Sequence, residues 1–191
     1  DVCRGASPWG NRLMSALGTF LILAGFVLAS GAFAASIAGA RRGKRTLVDG
    51  GIGLFHVVTA LMLVASATII HAFVVEDYSI KYVRNYSDAA QPLFYKLASY
   101  WGGLDGSLMF WVTLLALFGS VAVHINRVTH RVLIPWVVAT IASVEMFFLF
   151  LMVIHNNPFE TYLTIEQPAD PLEFPSVTET LDEQVTIGQF Y

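Results

Sequence analysis

The chain has 191 residues, 55% of them hydrophobic and 13% charged, with a mean hydropathy of +0.62 and a formal net charge of -3. A soluble globular domain carries about 25% charged residues, so this balance marks a membrane protein, and the net negative charge leaves no basic face for nucleic acid. The single cysteine, Cys3, excludes an internal disulfide and any multi-cysteine metal centre.

The sequence starts at Asp1 without a methionine. It shows no cationic start followed by a short apolar core and a small-residue cleavage site. It therefore reads as a processed product or an excised piece with no signal peptide. The first charge-free run lies between Arg12 and Arg41, long enough for the roughly 20 residues a helix needs to cross about 30 Å of hydrocarbon. Ala32, Ala34, Ala35 and Gly39 suit it to close helix packing. A basic connection, "RRGKRTLVD", leads to a second run between Asp49 and Glu76.

The segment from Glu76 to Asp105 is too long for a simple turn. Tyr78, Ile80 and Tyr82 alternate with polar residues, which predicts a short extended stretch. Pro92 then opens a small amphipathic helix on the outer membrane surface. In it Leu93, Leu97 and Tyr100 or Trp101 share a face and Lys96 points elsewhere. The aromatics here also suit a belt at headgroup depth.

The segment ends in "YWGGLDGSLMFW", Tyr100 to Trp111. Asp105 or Ser107 is expected to cap the helix that follows. Gly102, Gly103 and Gly106 allow backbone shapes barred to other residues and let a second surface approach. Between Trp101 and Trp111 this stretch reads either as a tight capped return to the membrane or as a docking shelf for a flat, partly anionic ligand or a partner loop.

The third run spans Asp105 to Arg127. After "NRVTHR" the fourth runs from Arg131 towards His155, with Pro135 in its first turn and Glu145 near mid-membrane. Long, non-alternating runs of this kind are helices, because lipid leaves no other open structure with satisfied backbone. An acid in such a place faces protein or a water cavity. Glu145 reads as a protonated acid hydrogen-bonded to Ser143, Thr113 or another helix, or as a proton or quinol site. The expected fold is an all-α polytopic membrane protein with four transmembrane helices in residues 1–155 and one outer loop, 76–105.

Arg41, Arg42, Lys44, Arg45, Arg127 and Arg131 crowd the two short connections, which are therefore cytoplasmic by the positive-inside rule. Both termini and the 76–105 loop then face outward. Residues 156–191 form an acidic, proline-containing tail or the start of an incomplete outer domain, with Pro158, Pro168, Pro171 and Pro175.

Five histidines invite a metal or haem reading. His56 and His71 lie 15 positions apart on one helix, about 22 Å at 1.5 Å per residue, and cannot clasp one iron. His56 with His124, or His71 with His155, are possible neighbours, and His130 sits in a connection. No catalytic group stands out.

The strings "AFVVEDYSIKYV", "QPLFYKLASYWGGLDGSLMFWV" and "NNPFE" closely resemble the N-terminal part of the CcmF/NrfE-like haem lyase family of cytochrome c-type biogenesis. Trp101, Gly102, Gly103, Asp105, Gly106, Ser107 and Trp111 match the family's run in order. Leu104 stands where many members have histidine, which argues against a metal or haem role for the loop. The resemblance covers roughly residues 12 to 160. It implies a multi-pass protein of the bacterial inner membrane with the N-terminus and tail periplasmic. It further implies help in attaching haem to apocytochrome c, with the rest of CcmF, the haem chaperone CcmE and a CcmH-type protein as partners. The family's tryptophan-rich WWD segment and its His-Pro-Pro and membrane histidines are absent from this stretch. Haem is thus a family-level cofactor that this segment alone is not expected to bind. The competing classes are a transporter subunit with Glu145 in a polar path and a quinone-linked membrane cytochrome.

Overall fold

A computed structural model of the chain describes residues 8–161, with side chains from Leu13 onward. Cys3 and the acidic tail from residue 162 lie outside the described residues. Four long helices form the body: α1 (Pro8–Arg42), α2 (Arg45–Val74), α5 (Leu104–Asn126) and α6 (Ile134–Ile154). Two short ones, α3 (Lys81–Tyr86) and α4 (Leu93–Ala98), lie in the connection between α2 and α5. All four long helices are long and apolar enough to cross a membrane, as the composition predicts.

Short turns join α1 to α2 and α5 to α6, which makes each pair antiparallel. Gly43 stops α1 by taking a left-handed conformation (φ 63°), so that the Lys44 N–H reaches the Gly39 carbonyl at 3.2 Å. Pro135 occupies the first turn of α6, where its missing N–H is no loss. Around the bundle α1 packs on α2 and α6, and α5 on α2 and α6, closing a ring.

Small residues set the inner contacts. Ala29, Ala32 and Ser36 of α1 are buried, and an added Cβ on Gly51 would strike Ser36. Of the alanines and glycine that suggested close packing, Ala32 and Gly39 lie in this interface, whereas Ala34 is exposed. Large apolar side chains instead stand outward at seven-residue spacing, Leu13, Phe20 and Val27 on α1 and Trp111, Phe118 and Ile125 on α5. Rows of exposed large apolar side chains are what lipid permits and water does not.

One expectation is overturned. Tyr78 to Tyr82 is not an extended stretch: a turn leads into helix α3, and only Ile80 pairs, as an isolated antiparallel bridge with Thr161. Tyr82 and Tyr86 are one helical turn apart with ring centroids at 4.7 Å, a contact that an extended chain would not make.

Candidate functional site: the glycine turn at the start of α5

Tyr82 holds the turn together. Its hydroxyl donates towards the carbonyls of Ser99 (3.1 Å) and Tyr100 (3.2 Å) and accepts from the Gly103 N–H (3.0 Å). The ring is clasped between Phe73, edge-on at 5.7 Å, and Tyr86. The glycines are required by this closeness. A Cβ on Gly106 would land on the Tyr100 carbonyl and the Tyr82 hydroxyl, and one on Gly103 would land on the Tyr86 ring. Gly102 is different, since its nearest neighbours would be at 3.5 Å, an ordinary contact.

Two expectations for this stretch need correction. Gly102 and Gly103 have φ of -74° and -116°, and none of the three glycines has a positive φ, so close approach and not unusual backbone explains them. Neither Asp105 nor Ser107 caps α5. The N-cap is Gly103 with no side-chain cap bond, and the Ser107 hydroxyl turns back to donate to the Trp101 carbonyl at 2.8 Å.

The turn is tied to the bundle by a polar chain. The Tyr100 hydroxyl bonds Ser66 Oγ at 2.7 Å, Ser66 bonds Thr113 Oγ1 at 2.7 Å, and Thr113 donates to the Met109 carbonyl at 2.8 Å. These buried groups satisfy each other and link α2, α5 and the loop. Burial pushes the Tyr82 phenol up to about 12, against the opposing pull of the Gly103 N–H. Burial raises Tyr100 as well, against its bonds to Ser66 and Thr113.

Lys96 is the hidden anchor. In α4, Leu93, Phe94 and Leu97 are exposed, while Lys96 is 6% exposed and pairs with Glu76 at the end of α2. The helix therefore shows its apolar residues outward and turns its cation into the protein. Beyond α6, residues 157–161 latch onto the same end. Ser15 donates to the Phe159 carbonyl at 2.6 Å, Asn157 donates to Thr19 at 3.0 Å, and Lys81 pairs with Glu160 at 3.3 Å. The buried Phe159 ring sits where a side chain on Gly18 would stand.

What remains facing out is aromatic. Trp101 and Trp111, half or more exposed, flank Phe110 with centroids at 5.7 and 6.0 Å, and Leu104 and Phe94 extend the surface. Asp105 and Ser107 are half-buried beside it. The structure thus brings together Trp101, Gly103, Gly106, Ser107 and Trp111. Tyr82, Tyr86, Lys96 and Phe159, which build the platform beneath them, were missed from sequence. Only the four-residue Tyr82–Tyr86 spacing could have signalled them.

Glu145 lies apart, fully buried on α6 and one turn from each of Ala142 and Leu149, which belong to separate core clusters. Neither carboxyl oxygen has a partner among the described residues. The expected partners are engaged elsewhere: Ser143 donates to the Thr140 carbonyl, and Thr113 serves the Tyr100 chain.

Of the histidine pairs, His56 and His124 meet, with ring centroids at 6.4 Å and His56 Nδ1 2.8 Å from Ser120 Oγ. His71, His130 and His155 are exposed. The hollow beside the His56–His124 pair has 380 Å³ and is walled by only His56, Ser120, Val121, His124 and Ile125. Those residues do not enclose a haem, and no group of three metal-ligating side chains gathers among the described residues.

Comparison with known proteins agrees with the resemblance read from the residues. No protein-family model matches the chain. It is 27% identical over 149 residues to cytochrome c-type biogenesis protein NrfE of Haemophilus influenzae, covering 77% of this chain and 23% of that protein. It is 32% identical over 121 residues to CcmF of Escherichia coli, covering 63% of this chain and 17% of that protein. A solved structure named cytochrome c heme lyase CcmF matches with a TM-score of 0.72 at 22% identity, over 79% of this chain and 25% of that one. The chain is thus homologous, over most of the residues the structure describes, to proteins named CcmF and NrfE, and shares the fold of part of one. It spans less than a quarter of the length of the relatives it matches.

Proposed function

We propose that this chain is a membrane segment of a cytochrome c maturation haem lyase component, helping to attach haem to apocytochrome c on the periplasmic side. The observation that carries this is the glycine turn. The residues of the family-like string are those that pack on Tyr82 or stand outward on the rigid end of the bundle. In this reading Tyr82, Lys96 and the Tyr100–Ser66–Thr113 chain hold the turn still. The Trp101–Trp111 surface then meets another part of the complex or the substrate: the rest of CcmF, CcmE, a CcmH-type protein or the apocytochrome.

Orientation follows from charge. Arg41, Arg42, Lys44, Arg45, Arg127 and Arg131 all sit at the end opposite the glycine turn, and by the positive-inside rule this supports a periplasmic turn and cytoplasmic short connections in a bacterial inner membrane. Haem enters only as the group transferred by the larger assembly. The His56–His124 pair does not enclose it.

The test is maturation in cells. Trp101→Ala with Trp111→Ala in the full-length protein should leave its membrane level unchanged and sharply reduce covalent haem on c-type cytochromes, read by haem staining. Normal haem attachment at normal protein level would overturn the proposal.

A further inference from the structure

The opposite end of the bundle has a feature that the glycine turn does not explain. The α1–α2 and α5–α6 turns enclose a hollow of about 830 Å³. Four cations line it, Lys44 and Arg45 from one turn and Arg127 and Arg131 from the other, against one acid, Asp49. None of the four makes a side-chain hydrogen bond or ion pair with another described residue. At the other end, by contrast, Lys81 and Lys96 are each paired with a glutamate.

Val48, Ile52, Val132, Pro135 and Trp136 give the hollow an apolar share of its wall beside the cations. Gly53 also lines the hollow, and a Cβ there would meet nothing within 4 Å, so the wall has room for a larger side chain at that point. His56 lines both this hollow and the apolar one beside His124, so an apolar groove adjoins the cationic one.

Like charges gathered around one space repel each other, and an anion seated among them reverses that repulsion. Arginine forks match phosphate oxygens two at a time. Cations and apolar side chains around one space call for one molecule with both characters. Basic pockets between helix ends have this chemistry for lipid headgroups.

We propose that this hollow is a binding site for an anionic phospholipid. Its phosphate sits among Lys44, Arg45, Arg127 and Arg131, and an acyl chain lies along Val48, Ile52 and Trp136. A flat basic surface would attract anionic lipid diffusely, whereas a hollow holds one molecule.

Native mass spectrometry of the 191-residue chain in detergent tests this, with phosphatidylglycerol, phosphatidylcholine and inorganic phosphate as probes. The expected result is one phosphatidylglycerol retained per chain, about tenfold or more over phosphatidylcholine, and not displaced by equimolar inorganic phosphate. Arg127→Gln with Arg131→Gln should lower retention about 30-fold. Gly53→Leu, which fills the hollow and leaves every charge in place, should lower it as well. Equal retention of the two lipids, displacement by free phosphate, or full retention by Gly53→Leu would each overturn the proposal. The last outcome would mean that the cations act only as surface charge.

Discussion

Replacing Gly106 by alanine tests whether the glycine turn is held by close packing. The new methyl group would coincide with the Tyr100 carbonyl and the Tyr82 hydroxyl. The carbonyl belongs to the backbone of the turn, so the turn and Tyr82 must both shift, and the Tyr82 hydroxyl then loses bonds to Ser99, Tyr100 and Gly103. One proton is shared between two carbonyls, so the loss corresponds to two bonds at about 1 kcal/mol each, with about 1 kcal/mol or more from overpacking. Against this, alanine favours the helix over glycine by about 1 kcal/mol. The net local cost is roughly 2 kcal/mol, which corresponds to about 30-fold faster amide exchange through local opening. Hydrogen exchange of the peptide spanning residues 99–107, in detergent or nanodiscs, reads this directly. Gly102→Ala is the control, because its Cβ would find ordinary contacts at 3.5 Å. In a Tyr82→Phe background the Gly106→Ala effect should shrink, since the hydroxyl bonds are no longer there to lose. Unchanged exchange in Gly106→Ala, or equal acceleration in Gly102→Ala, would refute the packing account.

Three further outcomes follow from the same structure. The Tyr82 phenol is raised to about 12 by burial, above an unfolded value of about 10, so its stabilisation is complete below about pH 10 and is lost as pH rises towards 12. Tyrosinate absorbance should show a component titrating near the top of that window that disappears in Tyr82→Phe, and its persistence would count against the assignment. Glu145→Leu should keep or raise thermal stability in detergent, because an unpartnered buried carboxyl costs about 1–3 kcal/mol; a clear loss of stability would show that the carboxyl has a partner. With Cys3 replaced by serine, Ala90→Cys should react with an impermeant thiol reagent in intact cells and Thr46→Cys should not, and labelling at Thr46 alone would reverse the orientation.

The spans were legible because each of the four apolar runs is long, unbroken and bounded by charge. In lipid that pattern has one structural solution. Pro135 and Pro92 also announced their helices, since a fixed φ and a missing N–H suit a first turn and its flank. The alternation at Tyr78, Ile80 and Tyr82 misled because three residues cannot separate a two-residue period from the edge of a helical turn. The Tyr82–Tyr86 pair, four apart, carried the better signal. Asp105 and Ser107 looked like caps from type alone, but α5 begins before them, at Leu104 with Gly103 as its N-cap, so both lie inside its first turn. Ser143 was proposed for Glu145, yet a serine within a helix readily turns to its own backbone, as this one does to Thr140. His56 and His124 were named as possible neighbours by their depth, and their helices do bring them together. The burial of Lys96 had no local cue, because its partner Glu76 lies 20 positions away across two turns.

The latch at residues 157–161 bears on how the chain is assembled. Ser15 and Phe159 are 144 positions apart, and Thr19 and Asn157 are 138 apart. Chains are made and inserted from the N-terminus, so α1 and α2 are able to pair early through their short turn. The notch at Gly18, however, stays empty until α6 and the residues that follow it, Phe159 among them, have been made. This end of α1 is therefore the last part of that helix to be fastened among the described residues, across a separation of 144 positions and at a correspondingly high loop-closure cost. A released chain that ended before Asn157 would have all four long helices with the first still unfastened at that end. Such a chain would be open to a protease on the side where the finished bundle is shut.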